Sequence, residues 1–244
     1  SSDLPGRCHC ARSSPVPVWP NTLEQPLRRP IRHPTRCTPM CLIIHKPAGR
    51  AVCPAFLENA WRRNGHGWGL LQWGADGEPQ VQRGMRLPEL LAAVAVLPDP
   101  ARALLHLRQA TVGEVNLAMA HPFEVRPGVW LMHNGSLRHL APRQPGHSDT
   151  AELARLLGEL LAGLDDAGVR AALRGEAFER LLAPLLRGSM VLLADRDGLV
   201  RLGREWHRVA ADEWHPSMQG IEVSNARTWR PRCPQRWRQA WSDL

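Results

Sequence analysis

The sequence predicts an α+β fold with an antiparallel or mixed sheet, and three observations support this prediction. Strand-like and helix-like segments alternate in blocks and not as a regular βαβ repeat. The 244-residue chain is long enough for one sizeable domain, and its hydrophobic content of 43% and charged content of 22% are ordinary for a packed core. Composition also changes near residue 40, where Pro-, Arg- and Ser-rich sequence gives way to short apolar runs.

The strands are predicted from short apolar or alternating segments bounded by turn residues. These segments are CLIIH (41–45), GWGLLQW (67–73), PQVQRG (79–84), RALLHLR (102–108), VWLMH (129–133), the hairpin SMVLLADRDGLVRLG (189–203) and GIEVSN (220–225). An Asp-Gly pair at 76–77 predicts the turn that joins the second segment to the third.

Helices are predicted after Pro54, over 87–98 between prolines, over 149–164, and around 178–186. The third of these is the clearest. Six leucines recur at helical spacing and predict one continuous buried face: Leu153, Leu156, Leu157, Leu160, Leu161 and Leu164. Asp149, with Glu152 three residues later, is predicted to cap this helix.

Three regions are expected. Residues 1–40 lack helical or strand periodicity and predict a disordered leader that is absent from the mature protein, residues 41–225 form the domain, and residues 226–244 form an Arg/Trp-rich tail. The net charge is +8, but residues 1–40 hold six arginines against two acidic residues, so half of that charge lies in the predicted leader. The high isoelectric point is therefore weak evidence for a nucleic-acid partner.

The six cysteines do not form the pattern of a disulfide framework in a chain of this length. CHC at 8–10 has no second ligand pair at zinc spacing, so no metal and no cofactor are expected. The longest aliphatic run, 90–97, is too short to cross a bilayer, and no apolar signal core is present near residue 1. We expect a cytoplasmic protein without a membrane partner.

Polar motifs stand at the ends of several predicted strands, where side chains can converge on one rim of a sheet. They are HLRQATVG (106–113), MAHPF (119–123), HNGS (133–136) and HSDT (147–150). Each has a structural explanation when taken alone. Arg108 can be a surface arginine at a strand end, Asn134-Gly135 an ordinary turn pair, and Asp149 a helix cap.

Together with Met40-Cys41, these motifs resemble in set and order the glutaminase domain of class II glutamine amidotransferases, which are N-terminal-nucleophile hydrolases. The resemblance rests on MCLIIHKPAG, HLRQATVG, AHPF, MHNGSL and SDTAEL, and on NGHGWGLL at 64–71. It covers residues 41–150 by motif and extends to about 225 by pattern. It implies a four-layer αββα sandwich of two antiparallel sheets between helix layers.

The resemblance also implies roles for seven residues. Cys41 is the nucleophile, and the Asn134 side chain with the Gly135 backbone N–H binds the oxyanion. The expected substrate contacts are Arg108 on the α-carboxylate of glutamine, Asp149 on the α-ammonium, and Thr111 and His121. An α-amino group on Cys41 can take the thiol proton, which requires Cys41 to be the first residue of the mature chain. Removal of Met40 by aminopeptidase would expose it, and self-cleavage of a leader is the alternative.

Four positions depart from the family pattern. Gln109 and Val112 replace Trp and His, Ala120 replaces Asn, and His66 replaces an Asp that is usual before Gly-Trp-Gly. No catalytic group is lost, but the substrate is left open.

Other functions are consistent with the sequence. Ammonia released from glutamine implies a separate synthase partner, whereas a γ-glutamyl amide of a peptide or thiol metabolite is the alternative substrate. A non-catalytic module that binds nucleic acid through the Arg/Trp tail is a second alternative, although packing or disorder of that tail is favoured. Cys53 has no papain-like signature around it and is expected to be a buried structural thiol.

Overall fold

A computed structural model of the chain describes residues 40–210, 213–214 and 216–230. These residues belong to one compact unit within Thr38–Leu244. The predicted leader up to residue 39 and the part of the predicted tail from 231 onward lie outside the described residues. Within the described ranges, no helix is both long and apolar enough to span a membrane.

The first sheet has six strands, and the strand that follows Cys41 lies inside it. This strand, β1 (Leu42–Lys46), pairs antiparallel with β4 (Ala103–Leu107) on one side and with β10 (Glu222–Val223) on the other. The other members are β2 (Trp68–Trp73), β3 (Pro79–Gly84) and β9 (His207–Arg208), in the order β3-β2-β4-β1-β10-β9.

The second sheet has four antiparallel strands in the order β5-β6-β7-β8. Their bounds are β5 Phe123–Arg126, β6 Val129–Asn134, β7 Met190–Asp195 and β8 Gly198–Gly203. The predicted hairpin over 189–203 is thus present as β7 and β8, with its turn at Arg196-Asp197.

The two sheets pack face to face, since one apolar cluster takes side chains from both. Its fully buried members are Ile43, Leu71, Leu104, Met132, Leu192 and Ala194. Successive side chains of a strand point to opposite faces, so alternate residues of the same strands build two outer cores. In β4, for example, Leu104 faces the other sheet, whereas Leu105 faces the outer core.

Helices cover both outer faces. The first sheet is covered by α1 (Pro54–Trp61) and α2 (Leu87–Ala95), both of which have proline in the first turn as predicted. The second sheet is covered by α3 (Asp149–Leu161), α4 (Asp166–Arg174) and α5 (Glu176–Leu182). The predicted four-layer αββα sandwich of two antiparallel sheets is confirmed.

Two details of α3 correct the sequence prediction. Ser148, not Asp149, is the N-cap, because its hydroxyl accepts a hydrogen bond from the Ala151 N–H at 3.2 Å. The predicted leucine face is also too wide. Leu160 is 52% exposed and Leu164 41% exposed, whereas Ala154 joins Leu153, Leu157 and Leu161 in the buried stripe.

Close packing between the sheets requires a glycine in β2. A Cβ atom on Gly69 would lie 1.7 Å from the carbonyl oxygen of His121, which belongs to the segment that enters β5. The absence of a side chain at Gly69 therefore lets the His121-Pro122 backbone lie directly against the first sheet. This contact fixes His121 beside the polar ends of the strands.

We expect Gly69→Ala to destabilise the fold, because the new methyl group overlaps backbone and not the end of a flexible side chain. Overpacking of this kind costs about 1–3 kcal/mol or more, which urea denaturation followed by circular dichroism would measure. Gly163→Ala is the matched control, since a Cβ there meets nothing within 4 Å. Equal midpoints for the two variants would contradict the assigned contact.

Candidate active site

Antiparallel pairing brings Cys41 and Arg108 to the same end of the first sheet. Leu42, the first residue of β1, is the register partner of Leu107, the last residue of β4. Cys41 precedes that pair and Arg108 follows it, so both emerge at the same rim. Alternation along β1 also places Cys41 on the face of Ile43, toward the second sheet.

The Cys41 side chain is held by the backbone of the segment that follows β4. Its sulfur accepts a hydrogen bond from the Gln109 N–H at 3.3 Å and lies 3.5 Å from the Gln109 carbonyl oxygen. Burial raises the pKa of the Cys41 thiol to about 11, against the lowering effect of the Gln109 N–H. The thiol is therefore protonated at neutral pH and needs a base to become a nucleophile.

Arg108 is buried and shapes the segment that follows it. Its guanidinium donates to the carbonyl oxygens of Glu114 at 2.6 Å and Val112 at 3.2 Å. Burial lowers the pKa of Arg108, and the nearby Cys41 and Asp149 groups raise it. An arginine remains charged under such conditions, so Arg108 supplies a buried positive charge beside the thiol.

Asp149 brings a buried carboxylate to the same site from the start of α3. Its Oδ2 accepts the Leu137 N–H at 2.7 Å, and its Oδ1 accepts the Thr150 N–H at 2.8 Å. Thr111 is exposed at the opening, where its hydroxyl lies 3.3 Å from that of Ser136. Opposite charges therefore flank the approach to Cys41.

Asn134 is the last residue of β6 in the second sheet, and Gly135 follows it. The Asn134 side chain is fully buried, and its Nδ2 donates to the Ser224 hydroxyl at 2.7 Å. Gly135 has φ of +152°, and a Cβ there would lie 2.2 Å from the Ser189 hydroxyl, so only glycine fits. Gly135 lines the same cleft as Cys41, whereas Asn134 is not among the residues lining it.

Ser224 and Asn225, which were not predicted as site residues, connect the two sheets and hold the Cys41 backbone. The Ser224 hydroxyl accepts the Ile43 N–H at 2.8 Å in addition to the Asn134 amide, and so joins β1 to the end of β6. Asn225 donates from Nδ2 to the Cys41 carbonyl oxygen at 2.9 Å. No sequence signal marks either residue, since serine and asparagine after a strand are common in turns.

The segment after Asn225 packs on the domain. The Asn225 carbonyl oxygen accepts the indole N–H of Trp229 at 2.7 Å, and Trp229 is fully buried against Phe56 with ring centroids 5.2 Å apart. Trp229 belongs to the first part of the predicted tail, residues 226–244. Its packing supports the turn that holds the Cys41 carbonyl oxygen.

His66, which stands where the resembled family usually has Asp, supports the segment beside Cys41. Its ring nitrogen Nδ1 accepts a hydrogen bond from the Ala110 N–H at 3.0 Å. Its backbone N–H donates to the Arg108 carbonyl oxygen at 3.0 Å. An aspartate side chain can accept a hydrogen bond in the same way, so the substitution keeps an acceptor for the Ala110 N–H.

Three buried histidines, His106, His121 and His133, lie next to the cleft. His106 stacks on His121 at 3.8 Å between ring centroids, and its Nε2 lies 3.1 Å from the His133 carbonyl oxygen. The His133 Nδ1 lies 2.8 Å from the Thr150 hydroxyl. Burial lowers the pKa of His106 to about 3, that of His133 to about 4 and that of His121 well below its usual value. All three rings are therefore neutral at pH 7.

Two cavities meet at Gly135. The first is a narrow cleft of about 20 Å³ lined by all of the predicted site residues except Asn134, namely Cys41, Arg108, Thr111, His121, Gly135 and Asp149. The second is an open cavity of about 660 Å³ that is lined by Met40, Gly135 and Ser136 on the side of the cleft. The consecutive residues Met40 and Cys41 thus border different cavities.

Replacing His121 with Phe should reduce the acid sensitivity of the fold. Each buried histidine has a pKa in the folded state below its value of about 6.5 in the unfolded state, so the unfolded state binds protons first as the pH falls. Stability is therefore full above about pH 6.5 and falls as the pH drops toward the folded-state pKa values, by up to about 1.4 kcal/mol per pH unit for each histidine.

We expect His121→Phe to reduce the dependence of the free energy of unfolding on pH by up to about 1.4 kcal/mol per pH unit, the contribution of one histidine. Urea unfolding at several pH values between about 6.5 and 4 would measure it. Neither ring nitrogen of His121 has a hydrogen-bond partner among the described residues, so Phe breaks no such bond there. His139→Phe, at an exposed position, is the control. An unchanged slope in His121→Phe would contradict the prediction.

Comparisons with known proteins were made by sequence and by structure. Neither a protein-family model nor a curated protein matches the sequence. A solved structure described as a glutamine aminotransferase class-II domain protein from Silicibacter pomeroyi matches over 75% of this chain and 87% of its own length, with 18% identity and a TM-score of 0.36. Glutamine phosphoribosylpyrophosphate amidotransferase from B. subtilis, complexed with ADP and GMP, matches over 64% of this chain and 35% of its own length, with 19% identity and a TM-score of 0.36.

The chain spans about a third of the length of the second protein. The fold assignment rests on the two antiparallel sheets and the helix layers described above.

Proposed function

We propose that the protein is a class II glutamine amidotransferase-type amidohydrolase in which Cys41, as the first residue of the mature chain, attacks the side-chain amide of glutamine. One observation carries the proposal. A buried thiol, a buried arginine, a buried carboxylate and a glycine after a strand converge on one cleft, although they come from four separate parts of the chain: Cys41, Arg108, Asp149 and Gly135.

Activation of the thiol requires the α-amino group. With a pKa of about 11, the Cys41 thiol supplies on the order of one thiolate in ten thousand at neutral pH. The neutral histidines nearby are weak bases because burial holds their pKa values low. A free α-amine titrates at about 7.7–8.0 and can take the thiol proton through a water molecule, whereas the amide nitrogen that joins Met40 to Cys41 is not basic.

Recognition of glutamine uses the two opposite charges. Arg108 has five N–H donors and uses two guanidinium nitrogens on carbonyl oxygens, so further N–H groups remain for the α-carboxylate. Asp149 has remaining lone pairs for the α-ammonium group. A cleft of about 20 Å³ has room for one or two water molecules, so binding of glutamine requires the cleft to widen.

The proposed reaction begins at the Cys41 sulfur, which attacks the amide carbon. The Gly135 N–H is one proposed donor to the oxyanion, and the second N–H of the Asn134 amide, which does not line the cleft in this structure, is the other. The α-ammonium returns its proton to the leaving nitrogen, the C–N bond breaks, and a γ-glutamyl thioester forms. Water hydrolyses the thioester to glutamate, and the released ammonia passes to a separate synthase where one is present.

The nucleic-acid alternative is not favoured by the described residues. Trp229, one of the tail aromatics, is fully buried and cannot stack on a base without unfolding its surroundings. The other tail aromatics, Trp237 and Trp241, lie outside the described residues.

We expect a chain that begins at Met40 to release glutamate and ammonia from glutamine once aminopeptidase has exposed Cys41. The 244-residue form should be inactive, because Cys41 then has no amine. A glutamate dehydrogenase-coupled assay would measure both forms, with circular dichroism as the test of folding. Mass spectrometry of an acid-quenched reaction should find one γ-glutamyl group on Cys41.

Cys41→Ala in the shorter chain is the matched control for this experiment. If the shorter form does not fold, a specific protease site placed before Cys41 in the full chain gives the same amine after cleavage. Equal activity of the cleaved and uncleaved chains, or activity in Cys41→Ala, would overturn the mechanism.

His66 gives a second test, because it acts through the backbone beside the nucleophile. His66→Ala removes the acceptor of the Ala110 N–H, and we expect kcat/KM for glutamine to fall about tenfold, the equivalent of about 1.4 kcal/mol. His66→Asp restores an acceptor and should recover most of that loss. Equal losses in both variants would show that the hydrogen bond to Ala110 is not what His66 contributes.

A further inference from the structure

Ser224 continues the pairing of the first sheet beyond the end of β10. Its backbone N–H donates to the Ile43 carbonyl oxygen at 2.9 Å, as the next residue of an antiparallel strand would do. The return bond comes from a side chain, because the Ile43 N–H donates to the Ser224 hydroxyl oxygen at 2.8 Å, where a strand partner would offer its backbone carbonyl. The hydroxyl thus takes the place of a strand carbonyl beside Ile43, two residues from Cys41.

The same hydroxyl oxygen holds the Asn134 side chain at the end of β6 in the other sheet. The Asn134 Nδ2 donates to it at 2.7 Å, and both residues are buried. A hydroxyl oxygen has two lone pairs, and the N–H groups of Ile43 and Asn134 use both of them. One oxygen atom therefore fixes β1 and the Asn134 amide relative to each other.

The Asn134 amide is left with unused hydrogen-bonding capacity. Its Oδ1 is buried without a partner among the described residues, and the contact with Ser224 uses one of the two N–H groups of Nδ2. Buried polar groups normally have partners, so an amide held at one corner calls for an explanation. Asn134 directly precedes Gly135, which lines the cleft, and its second N–H is the donor that the proposed reaction requires.

An amide donor stabilises an oxyanion only when its N–H group is directed at the oxygen. The side-chain amide of asparagine turns about a terminal torsion with broad energy minima. The hydrogen bond to Ser224 removes this freedom, because it fixes the direction of one N–H group and the planar amide then fixes the other. Such preorganisation favours the transition state, since no reorganisation is needed when the charge develops.

We propose that Ser224 is a positioning residue that orients the Asn134 amide, so that the second N–H of Asn134 is directed at the oxyanion. This proposal rests on the proposed function, in which Asn134 is an oxyanion donor. Ser224 is not among the residues lining the cleft, so it acts through Asn134 and not on the substrate. Formation and hydrolysis of the thioester each pass through an oxyanion, so both steps depend on this orientation.

The test is a double-mutant cycle in the chain that begins with Cys41. Ser224→Ala should lower kcat for glutamine about tenfold with little change in KM, because an oxyanion is present in the transition state and not in bound glutamine. Asn134→Ala should lower kcat about 100-fold or more. In the Asn134→Ala background, Ser224→Ala should lower kcat further by less than about twofold. Single-turnover rates with enzyme in excess keep the slow variants measurable.

This cycle separates the orientation of Asn134 from a loss of structure. Ser224→Ala also leaves the Ile43 N–H without its acceptor, but that loss is present in both backgrounds and cancels in the comparison. Asn225→Ala is the matched control, because Asn225 donates to the Cys41 carbonyl oxygen and not to Asn134 within the described ranges. Its effect on kcat should be the same with and without the Asn134 side chain. Circular dichroism checks folding, and Ser224→Cys, with a weaker acceptor atom, replaces Ser224→Ala if the latter does not fold.

Equal losses from Ser224→Ala in the two backgrounds would overturn the positioning role. An Asn134→Ala chain that reacts as fast as its parent would overturn it as well, since no oxyanion donor would then be lost. In both cases an active parent chain leaves glutamine hydrolysis by Cys41 standing. If the folded parent chain with Cys41 first hydrolyses no glutamine, the proposed function fails, and the positioning role fails with it.

Discussion

The arrangement of this molecule depends on polar groups that pair across the interface between two apolar sheets. A β-sandwich can be held together by apolar contacts alone, but strand ends leave backbone groups without partners when they are buried. Here the Ser224 hydroxyl accepts from the Ile43 N–H in one sheet and from the Asn134 amide in the other. His106 in the first sheet similarly meets the His133 carbonyl oxygen in the second. These bonds fix the relative position of the sheets at the rim where Cys41 lies.

The buried histidines at this rim are neutral, and this affects the charge balance around Arg108. A charged imidazolium beside Arg108 would add a second positive charge to a buried site, and burial prevents this by lowering the histidine pKa values. Arg108 is then opposed only by groups that can pair with it, Asp149 and the ionised form of Cys41. The site therefore holds one buried group of each sign, Arg108 and Asp149, and these are the groups proposed above to bind a zwitterionic amino acid.

The pattern of the sequence was sufficient to predict most of the strands and helices, whereas the four-layer arrangement and six of the residues that line the cleft were implied by the family resemblance of its motifs. Periodicity marks β1, β2, β4, β6, the β7–β8 hairpin and α1 to α3, because each of them buries one face or both. It failed for α4, whose buried residues are only Val169 and Leu173, and for β5, a four-residue strand interrupted by an irregular register. Short elements of this kind are formed by tertiary packing and leave little pattern in the chain.

The residues of the cleft were implied by the family resemblance of the motifs taken together. Each motif alone, at the end of an apolar run, fits a turn, a helix cap or a surface position equally well. The choice of Ser148 over Asp149 as the cap was not visible, because either side chain can cap, and the buried Asp149 carboxylate accepts the Leu137 N–H from a distant loop instead. Ser224 and Asn225 act through contacts about 180 residues away in the chain, so no local pattern identifies them.

Burial of the thiol and the position of Met40 are two aspects of one constraint. A cysteine held by the Gln109 N–H inside the sandwich is shielded from solvent and from adventitious bases, and its high pKa makes it inert while a peptide bond occupies the place of the amine. In the proposed mechanism, removal of Met40, which lines the larger cavity, exposes that amine and so supplies the base that the buried thiol lacks.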